Sequence, residues 1–273
     1  MGIPYAEVIG DPIDHSKSPL IHEFWLEKLG LIAEYRAVRV EAAGLASYLA
    51  SRCSDPFWRG CSVTAPLKEA AAAEVADPTG VCRRLGACNA VFRSPLGCGI
   101  GANTDLLGVA EVLTAAEASL NRVCVVGTGG AARAVLECLR VRGAGEAVLL
   151  ARQPDRARAE AKGAKVYALA DAAAAMAGAS CAINASPLGM DLMPAMPQPL
   201  LEALSRTDAG AAVIDLVYAP LETEWLRRGR ELGRRTANGL TALVGQAAPA
   251  FELFFGAPAP REHDRELRER LET

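Results

Sequence analysis

The stretch VVGTGGAARAV, residues 125–135, decides how this chain is built. An apolar run, RVCVVG, stops at Gly127. Gly127, Gly129 and Ala132 then follow in the spacing G-x-G-x-x-A, and an amphipathic segment, GAARAVLECLRVRG, begins at once. Glycines at a strand-to-helix turn allow a tight reversal and let the backbone approach a pyrophosphate, whose charge is stabilised by the free N–H groups at the helix N-terminus. A purely structural glycine turn would use the same residues, so the context matters. Downstream, strand-like EAVLLAR, KVYAL, CAINAS and AAVIDLVY alternate with helix-like PDRARAEAKGA, DAAAAMAGA and ETEWLRRGRELG, ending with a short RTANG. That alternation is the doubly wound pattern of a dinucleotide-binding domain, with Gly127, Thr128, Gly129, Gly130 and Ala131 as its expected phosphate turn.

Upstream, the same kind of alternation runs through YAEVIGD, PLIHEFWLEKLG, AEYRAVRV, AGLASYLASRC, CSVTA, PLKEAAAAEV and CNAVFRS, again an α/β arrangement. The predicted fold is therefore α/β in two lobes: a mixed α/β lobe over 1–105, completed by 238–273, and a Rossmann-like lobe over 106–237. The segment LTALVGQAAPAFELFFG is far more apolar than its neighbours and is expected to pack between layers or return to the first lobe.

Composition narrows the function. The chain has 273 residues, 51% apolar and 22% charged, enough for packed cores. Its formal net charge of −3 supplies no basic field for nucleic acid. No segment approaches 18 uninterrupted apolar residues, and the N-terminus lacks a basic region followed by an apolar run, so neither a membrane span nor a leader is expected. Eight cysteines without a C-x-x-C pair read as reduced core residues of a cytoplasmic protein. The mixed-charge REHDRELRERLET, 261–273, reads as a solvated helix or frayed end.

Past the second strand of the dinucleotide series, LLARQPDR carries no acid where the ribose 2′-hydroxyl of NAD is usually met. Ala151 is followed by Arg152 and, one helical turn on, Arg156. Two guanidiniums suit a 2′-phosphate, which predicts NADP, although two surface arginines would look the same.

Hydride transfer needs a partner that moves a proton. His263 lies in the tail, His15 and His22 stand seven apart, and no His, Cys or carboxylate spacing makes a metal site. Of 29 lysines and arginines only five are lysine, and Lys68 is the one between 29 and 161. An ammonium can give up its proton when desolvated, whereas a guanidinium does not, so chemistry is a reason to keep lysine there. Its plain alternative is an exposed residue in the first turn of a helix begun by Pro66. Asp105, in GANTDLLG, is the candidate partner; alone it would read as a helix cap.

Taken together, these motifs resemble the shikimate dehydrogenase family over nearly the whole chain. GDPIDHSKSP is similar to the family's G-x-P-I-x-H-S-x-S-P, SVTAPLK to N-V-T-x-P-x-K, and GACNAV to G-A-V-N-T. NTD, NASPLGM, DLVYAPLET and NGLTALVGQAAPAF follow in the family's order. The resemblance implies NADP-dependent interconversion of 3-dehydroshikimate and shikimate, on the route to chorismate and the aromatic amino acids. It implies that Ser16 and Ser18 bind the substrate carboxylate, that Thr64, Asn89, Tyr218 and Gln246 touch substrate, and that Lys68 is the acid/base with Asp105 beside it on the substrate hydroxyls. Ala185, Ser186, Leu216 and Gly239 would border the cofactor. Ser62, Ala90 and Phe255 depart from the family's Asn, Thr and Trp, and ARQPDR keeps the arginines of N-R-T-x-x-R without its Asn and Thr. A quinate/shikimate dehydrogenase using NAD or both cofactors is the nearest alternative, and a non-catalytic sensor of a small acid and a dinucleotide the more distant one. Monomer and homodimer are both open.

Overall fold

The computed structural model describes residues 2–159, 161 and 163–272. Glu160 and Lys162, in the stretch expected to be helical, and Thr273, at the end of the charged tail, lie outside them. The chain forms two compact units, Met1–Asp105 with Gln246–Thr273, and Leu106–Gly245.

In the first unit the strands are β1 (Tyr5–Gly10), β2 (Glu34–Arg39), β3 (Trp58–Val63), β4 (Ala90–Ser94) and β5 (Gly97–Ala102), arranged in the order β2-β1-β3-β4-β5. β1 pairs parallel with β2 and β3, while β4 is antiparallel to both β3 and β5. Nothing local marks β5 as a strand. Its GCGIGA has neither alternation nor β-branched runs beyond Ile100, and only pairing across a short turn makes it one. The helices are α1 (Ser18–Leu29), α2 (Leu45–Ser54), α3 (Lys68–Glu74) and α4 (Val81–Leu85). Side chains alternate across β1: Tyr5 and Ile9 pack with Leu45 and Leu49 of α2, while Ala6 and Val8 pack on the other face with Tyr35, Ala250 and Phe254. Pro66 does not open α3 as expected; it sits in the turn before it, where Leu67 N–H donates to Thr64 C=O at 2.9 Å, and the helix begins at Lys68 itself.

α5 (Asp105–Ala115) leads into the second unit. There β6 (Arg122–Val126), α6 (Gly130–Val141), β7 (Glu146–Ala151), α7 (Pro154–Arg158), β8 (Lys165–Ala168), α8 (Ala172–Met176), β9 (Cys181–Asn184), α9 (Gln198–Ala203), β10 (Ala212–Asp215), α10 (Glu224–Glu231) and β11 (Arg235–Ala237) build an all-parallel sheet in the order β11-β10-β9-β6-β7-β8. Both faces are covered, which is why these strands read as continuous apolar runs. Val123, Val125, Leu149 and Ile183 meet α5 and α6, while Cys124, Val126, Val148 and Val213 meet α8, α9 and α10.

α11 (Gly239–Phe255) starts in the second unit and ends in the first, where Phe251 and Phe254 are buried. The tail is not a frayed end. α12 (Asp264–Glu272) buries Leu267 and Leu271, and its Glu266 pairs with Lys28 of α1 at 2.7 Å. The cysteine reading also needs correction: Cys53 and Cys98 form a disulfide between the end of α2 and β5, and the other six are buried thiols. The pairing is invisible in the sequence because 45 residues separate the two and β5 carries no strand signal of its own.

Candidate active site

Lys68 stands at the start of α3, just past the end of β3, and Asp105 is the first residue of α5. Lys68 Nζ lies 2.7 Å from Asp105 Oδ2, with the side chains 22% and 14% exposed. Lys68 is thus less exposed than its plain reading as a surface charge in the first turn of a helix. The Asp105 carboxylate is turned away from capping α5: Oδ1 accepts from Asn89 Nδ2 at 3.0 Å, and the backbone N–H of Asp105 is met instead by Asn103 Oδ1 at 3.1 Å. Asn89, only 2% exposed, also donates to Thr104 Oγ1 at 2.9 Å and Gln246 Oε1 at 3.2 Å, while its own Oδ1 accepts from Thr104 N–H at 2.7 Å. A further bond from Cys88 N–H to Lys68 C=O, 2.8 Å, fixes the backbone of the two segments side by side. The result is a lysine–aspartate pair whose orientation is set by amide side chains and which retains access to solvent.

On the loop after β1, the N–H of Ser18 donates to Ser16 Oγ at 3.3 Å. The N-cap of α1 is Lys17, with no side-chain cap bond. Thr64 follows β3, its N–H bonded to Ile9 C=O at 2.9 Å. Ser16, Ser18, Thr64, Lys68, Asn89, Asp105 and Gln246 all belong to the first unit. Thr104 and Asn103 were missed by the sequence reading, although they sit in the NTD motif that supplied Asp105.

The second unit holds the remaining candidates. Gly127 has φ +117° and its N–H donates to Leu150 C=O, a turn that a side chain would strain. Gly129 caps α6, and no atom lies within 4 Å of the place where a Cβ would stand; it is exposed, as is Thr128. An open helix N-terminus of this kind fits a pyrophosphate. Gly130 and Ala131 form its first turn. β7 ends at buried Ala151, and Arg152 and Arg156 are both exposed beyond it. Asp155 pairs with Arg158 rather than with either of them. Ala185 and Ser186 follow β9, Leu216 and Tyr218 follow β10, and Gly239 opens α11 with its N–H on Val217 C=O at 3.0 Å. Burial raises the Tyr218 phenol above its ordinary range, which keeps the proton on the oxygen. Among the described residues, no three His, Cys, Asp or Glu side chains group as a metal site, and no helix is long and apolar enough to cross a membrane.

Two family models match: "Shikimate dehydrogenase substrate binding domain" over residues 8–91 and "Shikimate 5'-dehydrogenase C-terminal domain" over 239–267. The NADP(+)-dependent shikimate dehydrogenase of Sphingopyxis alaskensis is 46% identical over 269 residues, 97% of this chain and 96% of that one. The chain belongs to the shikimate dehydrogenase family. Among solved members, the shikimate 5-dehydrogenase of Thermus thermophilus, in complex with NADP(H) and shikimate, is 34% identical with a TM-score of 0.86, covering 98% of this chain and 100% of that one. The quinate dehydrogenase of Corynebacterium glutamicum, in complex with NAD, is also similar, at 27% identity and a TM-score of 0.86 over 98% of this chain and 99% of that one.

Proposed function

We propose that this chain is an NADP-dependent shikimate dehydrogenase in which Lys68 moves the proton. The observation that carries the reading is the Lys68–Asp105 pair, held at 2.7 Å inside a unit matched to the family's substrate-binding domain. The chemistry that NADP would supply, held by the second unit, is acceptance of a hydride from the carbon that bears the hydroxyl. As that C–H bond breaks and the carbonyl forms, the hydroxyl proton passes to the Lys68 amine; in the reverse direction the Lys68 ammonium returns it to the carbonyl oxygen. A positioned acid/base of this kind contributes roughly 10²- to 10⁴-fold. Asp105 orients Nζ with one oxygen and holds Asn89 with the other, so the pair is fixed before substrate arrives. Ser16, Ser18, Thr64, Asn89, Tyr218 and Gln246 supply neutral donors and acceptors for the carboxylate and hydroxyls of the acid.

The 127–131 turn would hold the pyrophosphate, with Arg152 and Arg156 on the 2′-phosphate and Ala151, Ala185, Ser186, Leu216 and Gly239 along the remainder. The missing Asn and Thr of ARQPDR, together with the likeness to an NAD-bound quinate dehydrogenase, favour testing a broader reading as well. Absorbance at the reduced-nicotinamide band, followed with shikimate and quinate against NADP and NAD, tests both. Turnover is expected with shikimate and NADP. Preference for quinate with NAD would transfer the chain to the alternative, and no turnover with any pair would sink the dehydrogenase reading.

A further inference from the structure

Asp215 lies outside the candidate contacts. It ends β10, is 0% exposed, and has no cation beside it in any of its hydrogen bonds. A buried carboxylate of this kind is costly unless several donors satisfy it. Three do. Oδ1 accepts from Asn184 Nδ2 at 2.9 Å and from the Val217 N–H at 3.0 Å, and Oδ2 accepts from Thr223 Oγ1 at 2.6 Å. Burial raises the carboxyl to about 6, the three hydrogen bonds offsetting part of that rise, so it is mainly ionised at neutral pH and accepts from all three donors.

Each donor belongs to a segment that carries candidate contacts. Asn184 ends β9, and its Oδ1 accepts both the N–H of Ser186, at 3.1 Å, and the hydroxyl of Ser186, at 2.6 Å. Its Nδ2 also reaches Leu188 C=O at 3.0 Å. Val217 lies between Leu216 and Tyr218. Thr223 closes the same loop and caps α10, its Oγ1 accepting from the Leu226 N–H at 3.3 Å. The two loops are joined again where the Asp191 N–H meets Ala219 C=O at 2.9 Å.

We propose that Asp215 is a positioning residue that locks the loop bearing Ala185 and Ser186 to the loop bearing Leu216 and Tyr218, so that cofactor and substrate contacts are set by one buried carboxylate. The inference rests on the function proposed above, because it takes those four residues to be contacts. It predicts that loosening the lock misplaces the reacting groups; a misplacement of about 1 Å can cost on the order of 100-fold in rate.

The test uses three variants of the full chain, with kcat, the KM values for shikimate and NADP, NADPH affinity by fluorescence, and thermal midpoint measured for each. Asp215→Asn keeps the volume and loses the third acceptor site. Thr223→Val keeps the shape and loses the hydroxyl. Thr223→Ser restores the hydroxyl. We expect the first two to lose roughly 10- to 100-fold in kcat/KM with weaker NADPH binding, and Thr223→Ser to stay within about twofold of the wild type. A lower midpoint with kcat, both KM values and NADPH affinity all within about twofold would overturn the inference, since the cluster would then serve stability alone. Should Asp215→Asn fail to fold, the Thr223→Val and Thr223→Ser pair decides by the same criteria. An active wild type with unaffected variants overturns only this inference, whereas an inert wild type overturns the proposed reaction and this inference with it.

Discussion

Lys68 and His22 show how burial and partners set apart two basic side chains. Lys68 keeps some solvent access and a carboxylate at 2.7 Å, an arrangement compatible with the proton transfer proposed for it. Lys68→Met preserves length and removes the amine; single-turnover hydride transfer from shikimate should fall by at least about 100-fold while shikimate affinity changes only modestly. Near-normal transfer would return Lys68 to the status of a helix-end charge. His22 is the reverse case. It is fully buried in α1, stacked on Tyr35 at 3.9 Å between ring centroids, and both of its ring nitrogens are unpartnered. Burial lowers it to about 3. The folded state therefore binds no proton there at pH values where the unfolded chain, with an imidazole near 6.5, already does. Stability is full above about pH 6.5 and is lost as pH falls towards 3, at about 1.4 kcal/mol per pH unit. Urea unfolding at pH 7 and pH 5 should show the wild type losing about 2 kcal/mol more than His22→Phe over that interval. Equal losses would mean that His22 finds a proton acceptor or opens to solvent.

At the scale of elements, the candidate contacts of the second unit lie at or just after the ends of its strands. The turn from β7 to α7 is the clearest case. Ala151 is buried and ends the strand, and the two guanidiniums follow on the exposed side. Arg152→Ala should weaken NADP about 10- to 100-fold, the value of one charge-assisted contact, and leave NAD nearly unchanged. Titration of both cofactors against protein fluorescence checks this, and an equal loss for the two would remove the 2′-phosphate assignment. α7 itself is short, Pro154–Arg158, although the sequence suggested a longer helix. In α12 the helical reading holds, but the helix is not solvated all round. Its charge pattern hides the spacing of Leu267 and Leu271, four apart and therefore on one face, and that face is buried.

For the molecule as a whole, the disulfide is the covalent link that chain order does not announce. Cys53 and Cys98 close a segment of 45 residues that contains β3, α3, α4 and β4. Restricting a loop of that length in the unfolded chain stabilises the fold by about 4 kcal/mol in the chain-entropy account, against a typical 2 to 4 kcal/mol for disulfides. Reductant should therefore lower the urea midpoint of the wild type and leave that of Cys53→Ser/Cys98→Ser untouched; identical midpoints with and without reductant would show that the pair contributes nothing. The amino-acid sequence by itself determined the α/β class, the parallel second unit and the family, and singled out Lys68 and Asp105 as candidates, because strand alternation, glycine turns and motif spacing are local and survive in one dimension. Tertiary structure alone decided that β5 is a strand, that Cys53 meets Cys98, that Asn89 reaches Gln246 across 157 residues, and that Asp215 gathers two loops. Each of those depends on a partner far along the chain. A glycine-rich segment, a cysteine or a carboxylate acquires its role only when packing supplies the second half of the bond, and nothing in its neighbours in sequence carries that information.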